Sequence, residues 1–327
     1  MGTPDVAVPT LRALHREGHD IVAVVTQPDR PAGRGHRLQP PPVKVAALEL
    51  GLPVWQPTKI KTPEFHAELA ALAADVGVVV AYGRILPPHI LETPRHGCLN
   101  VHFSLLPKYR GAAPVNWAIA HDEAVTGVTV MYMDAGLDTG DIALQTECWI
   151  GRDETAPELS ERLSCLGADL LCEALRRLEA GTLPRRPQDA SQATYAPLLK
   201  REDGWIDWSR PAAVIAARIR AFQPFPGSYT LLGDRRVTLW RAWVEAGAET
   251  NDRPPGTVLR VEADRLVVAC GEATCLAVGE LQLAGRARVS ARDFANGLRL
   301  QPGACFISPA PTAMCADSEL GVGDAPG

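Results

Sequence analysis

Strand-like and helix-like segments alternate along the first 150 residues, and this alternation is the strongest constraint on the fold. The apolar run DVGVVVAYG at residues 75–83 is the clearest candidate for a buried strand. Strands that alternate with helices form parallel sheets covered by helices on both faces. We therefore predict an α/β domain with a parallel-rich sheet. Its other strands are predicted at residues 21–27, 52–56, 97–103 and 126–133, and its helices at residues 4–17, 43–50, 63–73 and 115–121.

The chain opens with Met-Gly-Thr-Pro-Asp, a turn that leads into a helix with no strand before it. A βαβ domain normally begins with a strand that lies in the middle of its sheet. Either the domain tolerates a gap where its first strand would lie, or further residues are expected upstream of Met1. If the strand is truly absent, the sheet loses a central member, which would put folding and activity in doubt.

The second half of the chain changes from helical to strand periodicity. A helix is predicted at residues 155–181, a linker at 184–204 and a short helix at 212–221. Five short strands with turns between them favour a small OB-like β-barrel. They are predicted at residues 228–232, 237–244, 256–261, 266–270 and 275–283. The domains are thus predicted at residues 1–183 and 205–301, with a disordered tail at 302–327.

Composition narrows the class of protein. The formal net charge of -5 disfavours nucleic-acid binding over the whole surface but leaves room for a local basic patch. One such patch is predicted from Arg30, Arg34, Arg37 and Lys44, although on charge alone a solvated loop is the simpler explanation. The eight cysteines include no Cys-x-x-Cys pair and no zinc spacing, so we expect reduced thiols, a cytoplasmic location and no metal. Without a signal peptide or a long apolar run, no membrane partner is expected.

The segment GCLNVHFSLLPKYRGAAP, at residues 97–114, places two polar residues in an apolar strand. Alternate side chains of a strand share a face, so Asn100 and His102 should emerge together while Val101 and Phe103 enter the core. Open α/β sheets bind ligands at the carboxyl ends of their strands, where this pair would lie. The pair therefore predicts a site, although a buried His satisfied by a neighbouring Asn would produce the same pattern.

The glycine-containing segment MDAGLDTGDI, at residues 133–142, offers carboxylates to the same site. An aspartate beside His102 would orient its ring and favour the protonated form, so that His102 and Asn100 could stabilise an oxyanion. Of the three carboxylates, Asp134 and Asp141 are explained by turn formation alone, which leaves Asp138.

A cluster of Asn, His and Asp suits acyl-type transfer to a nucleophile that a second substrate supplies. Ser104 lacks the G-x-S-x-G context of a hydrolase nucleophile. The chain also lacks a dinucleotide-binding or Walker A glycine motif in the required context. Residue chemistry therefore predicts the reaction class but not the substrates.

The chain resembles the methionyl-tRNA formyltransferase family over residues 2–303. The matching motifs are TQPDRPAGRG at 26–35, VVAYGRILP at 79–87, NVHFSLLPKYRGAAP at 100–114, GLDTGDI at 136–142, IDWS at 206–209 and IRAFQPFPG at 219–227. Asn-x-His, SLLP and the later Asp are shared by formyl transferases that use 10-formyltetrahydrofolate, whereas the first and last motifs are the narrower signature of the tRNA enzymes. The resemblance implies a Rossmann-like formyltransferase domain followed by an OB-like barrel that binds tRNA. It also implies formyl transfer to methionyl initiator tRNA.

The resemblance implies roles for individual residues. Asn100, His102 and Asp138 would be the catalytic set. Folate contacts are implied for Tyr82, Gly83, Ile85, Ser104, Leu105, Leu106 and Pro107. Contacts with tRNA are implied for Arg30, Arg34, Arg37 and Lys44 in or near the loop at 27–38, and for Arg218, Arg220, Arg235 and Arg236 on the barrel. We expect a monomer.

Three other functions fit part of the sequence. A formyltransferase acting on glycinamide ribonucleotide or an amino sugar would share the catalytic set but lack the motifs at 26–35 and 219–227. A noncatalytic tRNA-binding protein would follow if the missing strand abolished activity, but it leaves the polar strand end unexplained. A serine hydrolase would require a reactive Ser104.

Overall fold

The structure, a computed structural model, describes residues 1–32, 37–246 and 253–308 and forms two compact units. The first unit comprises Met1–Pro114, Val125–Trp149 and Leu159–Ala196. The second comprises Val115–Ala124, Ile150–Glu158 and the chain from Pro197 onward. The predicted linker at 184–204 is therefore not a spacer, because its residues up to Ala196 are part of the first unit.

The first unit has the predicted alternation of strands and helices. Its strands are β1 (Val24–Val25), β2 (Arg30–Ala32), β3 (Arg37–Gln39), β4 (Val54–Trp55), β5 (Gly77–Val79), β6 (Cys98–His102), β7 (Arg110–Gly111), β8 (Val125–Tyr132), β9 (Ile142–Trp149) and β10 (Tyr195–Ala196). The helices of the chain are α1 (Val8–Arg16), α2 (Pro42–Glu49), α3 (Pro63–Ala71), α4 (Pro88–Leu91), α5 (Pro114–Ala120), α6 (Ala156–Glu179), α7 (Ala212–Ala221) and α8 (Ala291–Leu298). The hairpin of β2 and β3 and the strand β9 were not predicted.

Four strands form the main sheet of the first unit, in the order β5, β6, β8, β9. β5 is parallel to β6, as β1 is to β4, whereas β8 and β9 are antiparallel to their neighbours. The sheet is thus mixed. Because Leu99 pairs with Tyr132, the loop after β8 leaves the sheet beside the start of β6.

The first residues of the chain connect the pair β1 and β4 with the main sheet. Gly2 forms a parallel bridge with Val80, and its amide donates a hydrogen bond to the carbonyl oxygen of Val25 at 3.0 Å. Within residues 1–32 no strand precedes α1. Met1 and Gly2 therefore lie between β1 and the end of β5.

One face of β6 packs against α6. A Cβ atom at Gly167 of α6 would lie 2.7 Å from Cγ1 of Val101 and 3.5 Å from Cε1 of Phe103, so only glycine permits this approach. Val101 and Phe103 are buried, as predicted, and the opposite face of β6 is left for Asn100 and His102.

The second unit contains an antiparallel barrel. Its strands are β11 (Ser228–Leu232), β12 (Arg235–Val244), β13 (Val258–Val261), β14 (Leu266–Ala269), β15 (Cys275–Leu283), β16 (Arg288–Ser290) and β17 (Phe306–Ile307). The sheet runs β13, β14, β15, β12, β11, β17, and a bridge between Thr257 and Cys305 joins its two ends. Closure of this kind removes exposed strand edges, and the predicted OB-like barrel is confirmed.

The predicted disordered tail at 302–327 is wrong at its start. Phe306 and Ile307 pair with Leu232 and Leu231 of β11, and the Phe306 ring stacks on Trp208 with their centroids 5.6 Å apart. Residues 302–308 therefore complete the barrel, and residues 309–327 lie outside the described part of the chain.

Neither a membrane-spanning helix nor a metal-binding cluster is found in the described residues. None of their helices is both long and apolar enough to cross a bilayer. No group of three or more His, Cys, Asp and Glu side chains there is arranged to hold a metal ion.

Candidate active site

The centre of the candidate site is the face of β6 on which Asn100 and His102 lie two residues apart. Asn100 pairs with Val79 of β5 and Met131 of β8, and His102 pairs with Thr129 of β8. The two side chains are 9% and 5% exposed. The sheet therefore holds both groups rigidly and close together, as the alternation of the strand predicted.

The ring of His102 is fixed by one hydrogen bond and faces a carboxylate with its other nitrogen. Nε2 donates to the carbonyl oxygen of Tyr109 at 2.9 Å, because a carbonyl oxygen can only accept. Nδ1 lies 3.7 Å from Oδ2 of Asp138, which is an ion-pair distance but too long for a direct hydrogen bond. The Tyr109 contact therefore leaves Nδ1 as the ring nitrogen available for chemistry.

Asp138 reaches His102 because its loop folds back over the face of β6. Its φ angle of 53° is left-handed, and its Oδ2 accepts a hydrogen bond from the amide of Gly111 at 2.8 Å. Asp134 instead accepts hydrogen bonds from Gly136 and Thr139 within its own turn, and Asp141 pairs with Arg185 at 3.5 Å. Of the three carboxylates, only that of Asp138 thus lies beside the His102 ring.

Asn100 has a side chain without an assigned partner. Its amide makes no hydrogen bond to any group in the described parts of the chain, although the residue is nearly buried. Buried amides normally find partners, so an unpaired one at the edge of a polar cluster is suited to a ligand.

The segment after β6 is packed into the core rather than open. Ser104 is fully buried, and its Oγ donates to the carbonyl oxygen of Lys108 at 2.6 Å. Leu106 is buried against Met131 and Ile142, and its amide and carbonyl groups bond to Thr129 and Gln145. A folate contact predicted for residues 104–107 would therefore be made mainly by Leu105 and Pro107, which are partly exposed.

The three folate candidates that follow β5 differ in exposure. The side chain of Tyr82 is 2% exposed and belongs to the core, and burial raises the pKa of its hydroxyl. Its carbonyl oxygen accepts hydrogen bonds from Gln27 at 2.9 Å and Thr3 at 3.0 Å. Gly83 is exposed, with a φ angle of 77°, and Ile85 is 77% exposed. Gly83 and Ile85 therefore offer an exposed surface after β5, whereas the Tyr82 ring does not.

The predicted basic loop is a hairpin of β2 and β3 in which Arg30 pairs with Gln39. Arg30 is exposed and donates to the Gln27 side chain. Lys44 pairs with Asp29 at 2.9 Å, and hydrogen bonds from Gln56 and then Lys44 lower the pKa of that carboxyl. Arg34 lies outside the described residues, and Arg37 belongs to β3.

Two of the four barrel arginines are engaged within the second unit. Arg220 is 14% exposed at its side chain and pairs with Asp122 at 3.2 Å, and Arg218 donates to the carbonyl oxygen of Asp203. Arg235 and Arg236 are exposed, and the Arg236 guanidinium lies 3.6 Å from the centroid of the Tyr229 ring. Arg235 and Arg236 are therefore the better candidates for contacts with an anionic partner.

Sequence reasoning missed two residues that hold the site together. Thr194 accepts a hydrogen bond from the Tyr109 amide at 2.9 Å, and Gln188 bonds to both Arg110 and the Asp138 loop. Both lie in the predicted linker. A polar stretch rich in Gln, Ser and Asp has no periodicity that would show where its side chains bind.

The sequence matches a known enzyme family in both halves. The profile of the family described as "Formyl transferase" matches residues 1–175, and that of "Formyl transferase, C-terminal domain" matches residues 198–299. The methionyl-tRNA formyltransferase of Geobacter metallireducens is 52% identical over 303 residues, which cover 93% of this chain and 96% of that protein. The protein of the same name from Acidobacterium capsulatum is 53% identical over 302 residues, 92% of this chain and 96% of its own.

A solved structure has the same fold at low sequence identity. HypX from Aquifex aeolicus, crystallised in complex with tetrahydrofolic acid, superposes with a TM-score of 0.56 at 18% identity. The superposition covers 76% of this chain and 43% of HypX. Together with the identities near one half over almost the full length, the two profile matches place the chain in the formyl transferase family, among the methionyl-tRNA formyltransferases.

Proposed function

We propose that the protein transfers a formyl group from 10-formyltetrahydrofolate to the α-amino group of methionyl initiator tRNA, giving the formylmethionyl-tRNA of translation initiation. The observation that carries this proposal is the cluster of Asn100, His102 and Asp138, with His102 Nδ1 3.7 Å from the carboxylate, in a chain 52% identical to an enzyme of that name. The folate supplies the formyl group and the tRNA supplies the amine. The protein therefore needs no nucleophile of its own.

Asn100 and His102 would stabilise the negative charge that develops on the formyl oxygen. The Asn100 amide can donate there because no protein group in the described residues occupies it. His102 would donate through Nδ1, since Nε2 is bonded to Tyr109. Fixed donors of this kind require no reorganisation as charge develops, and loss of one typically lowers kcat by about 10²–10³-fold.

Asp138 would assist the transfer of the amine proton to the folate nitrogen. The new C–N bond forms between the methionyl amine and the formyl carbon, the bond from that carbon to the folate nitrogen breaks, and the amine proton ends on the folate nitrogen. The carboxylate can hold a proton on His102 Nδ1 and relay the amine proton, because it faces that nitrogen at 3.7 Å. The left-handed loop and the Gly111 amide keep the carboxylate in this position.

The residues present fit a folate. Gly83 and Ile85 are exposed at the carboxyl end of β5, directly beside the strand that carries Asn100. An exposed isoleucine and a bare backbone suit the flat, partly apolar pterin ring. Leu105 and Pro107, which are partly exposed, would complete the contacts.

Contacts with the tRNA are proposed for Arg30, Arg34, Arg37, Arg235 and Arg236. Cationic side chains supply most of the affinity for nucleic acids by neutralising phosphates. Lys44 is a weaker candidate because its charge is paired with Asp29. With such a substrate the protein would act in the cytoplasm, and a monomer remains our prediction.

The deciding experiment is transfer of labelled formyl from 10-formyltetrahydrofolate to methionyl initiator tRNA. We expect the wild-type chain to transfer the formyl group. In His102→Ala we expect turnover to be lost while the affinity for tRNA is retained. Glycinamide ribonucleotide and a nucleotide-linked amino sugar serve as competing acceptors. If the wild type formylated one of these and not the tRNA, the proposed substrate would be wrong, and if His102→Ala kept near-wild-type turnover, the catalytic assignment would be wrong.

A further inference from the structure

Residues 186–196 connect the two loops that carry the candidate catalytic groups. At one end Arg186 forms an antiparallel bridge with Ile142, at the close of the Asp138 loop. At the other end β10 pairs in parallel with β7, Tyr195 with Arg110 and Ala196 with Gly111. The segment therefore crosses from the Asp138 loop to the loop that follows β6.

Gln188, in the middle of this segment, bonds to both loops through one side-chain amide. Its Oε1 accepts hydrogen bonds from Nε and Nη2 of Arg110 at 3.1 and 2.7 Å. Its Nε2 donates to the carbonyl oxygens of Asp138 and Gly140, both at 2.8 Å. All four hydrogen-bonding positions of the amide are thus used. Its orientation is also fixed, because a flipped amide would set N–H groups against the Arg110 donors.

These contacts clamp Asp138 from two sides. Gln188 holds the backbone of Asp138, while the amide of Gly111, the residue after Arg110, holds its carboxylate at 2.8 Å. Arg110 is 5% exposed and Gln188 is half-buried, so the hydrogen bonds between them are partly shielded from water. The distance from the carboxylate to His102 Nδ1 is therefore set by the Gln188 bridge as well as by the Asp138 loop itself.

We propose that Gln188 is a positioning residue for formyl transfer, which acts by holding Asp138 against His102 and makes no contact with substrate. This inference rests on the proposed function. It assigns a catalytic contribution to a segment whose sequence is typical of a linker.

The substitution Gln188→Glu separates positioning from folding. The carboxylate can still accept both hydrogen bonds from Arg110, and the added charge pair compensates in part for the lost amide. It cannot donate to the carbonyl oxygens of Asp138 and Gly140, and its oxygen would repel them. Residues that orient a catalytic group typically contribute about 10–100-fold. We expect kcat to fall within this range while KM for tRNA and folate changes by less than about twofold.

The matched control is Gln192→Glu, which adds the same charge four residues further on. Gln192 is exposed and bonds only to Asp189 among the described residues, so its kcat should equal that of the wild type. A kcat in Gln188→Glu equal to that of the control would overturn the proposal, as would a rise in KM with unchanged kcat. If Gln188→Glu does not fold, Gln188→Asn replaces it, because the shorter side chain keeps the amide but cannot reach both loops.

A second readout does not depend on activity. Hydrogen exchange of the Gly111 amide reports the bond to the Asp138 carboxylate. We expect faster exchange at Gly111 in Gln188→Glu, and unchanged exchange in the barrel strands β11 and β12. Unchanged exchange at Gly111 would overturn the proposal. If the wild type failed to transfer formyl, this readout would still test the clamp while the proposed function itself failed.

Discussion

Nδ1 of His102 and Oδ2 of Asp138 lie 3.7 Å apart, and each side chain is hydrogen-bonded to the backbone of the segment that follows β6. The imidazole is held by the Tyr109 carbonyl on its far side, and the carboxylate by the Gly111 amide. Each partner thus has one hydrogen bond to backbone, and the two atoms face each other.

Removing the charge of Asp138 should impair catalysis without disturbing the fold. In Asp138→Asn the side-chain oxygen can still accept from Gly111, but the neutral amide cannot hold a proton on His102. We expect kcat to fall by about 10²–10⁴-fold, the usual contribution of general acid–base catalysis, with little change in tRNA affinity. Asp141→Asn removes the same charge three residues away and should keep wild-type kcat. Equal rates for the two variants in a single-turnover formylation assay would contradict this assignment.

Gly111 should not tolerate a side chain. Its φ angle is 120°, and a Cβ atom would lie 2.6 Å from the carbonyl oxygen of Ala196, a backbone atom that has little freedom to move. Backbone strain alone costs about 1–3 kcal/mol, and separation of β7 from β10 adds to it. We expect Gly111→Ala to lower both the free energy of unfolding in urea and kcat.

The control for this prediction is Gly181→Ala. Gly181 also has a left-handed φ angle, 66°, but no atom lies within 4 Å of the added Cβ. Gly181→Ala should lower the free energy of unfolding by only about 1–2 kcal/mol, the cost of left-handed backbone, and should leave activity unchanged. If Gly111→Ala lost no more stability and no more activity than Gly181→Ala, the close approach of β7 and β10 would matter for neither.

The parts of the structure that follow from local pattern were predicted well. The bounds of β11, β15 and α7 coincide with the predicted segments, because their apolar periodicity matches their burial. The common face of Asn100 and His102 follows from the same physics, since alternate residues of a strand share a face.

The parts that depend on distant contacts were missed. β9 was not predicted because only its first two residues are buried, so its sequence carries no regular apolar alternation that would indicate pairing with β8. β17 has only two residues, too few for a periodic pattern, and it is a strand because it pairs with β11 in the barrel. The bond of Gln188 to Asp138 joins residues 50 positions apart, and nothing in the local sequence of either residue indicates it.

Ser104 should prove structural rather than nucleophilic. Its hydroxyl is buried and donates to the Lys108 carbonyl oxygen at 2.6 Å, so it is neither accessible nor free to attack a substrate. Ser104→Ala should lose about 1 kcal/mol of stability, as expected for one hydrogen bond, and retain most formyl transfer. A fluorophosphonate probe should not label the wild-type protein. Labelling that disappears in Ser104→Ala would instead favour the serine hydrolase.

Buried cysteines should react with an alkylating reagent much more slowly than exposed ones. Burial raises the pKa of Cys98 to about 11 and that of Cys270 to about 12, so both remain protonated at pH 8. Because the thiolate is the reactive form, iodoacetamide should leave them unmodified in the native protein. Cys165 and Cys305 are exposed and should be alkylated, as mapped by peptide mass. Denaturation in urea provides the control, in which all four should react, and alkylation of native Cys98 as fast as Cys165 would refute the prediction.

The charge of Arg30 should contribute to the salt dependence of tRNA binding. Arg30 is exposed in the hairpin of β2 and β3, and a phosphate contact there would release a counterion when the complex forms. In Arg30→Gln the slope of log K against log salt concentration should become shallower by roughly one unit, while kcat at saturating tRNA stays the same. Arg12→Gln is the matched control, because Arg12 of α1 is also exposed but is paired with Glu49 of α2 at 2.8 Å. Parallel slopes for Arg30→Gln, Arg12→Gln and the wild type would remove Arg30 from the tRNA-binding surface and leave phosphate recognition to other parts of the chain.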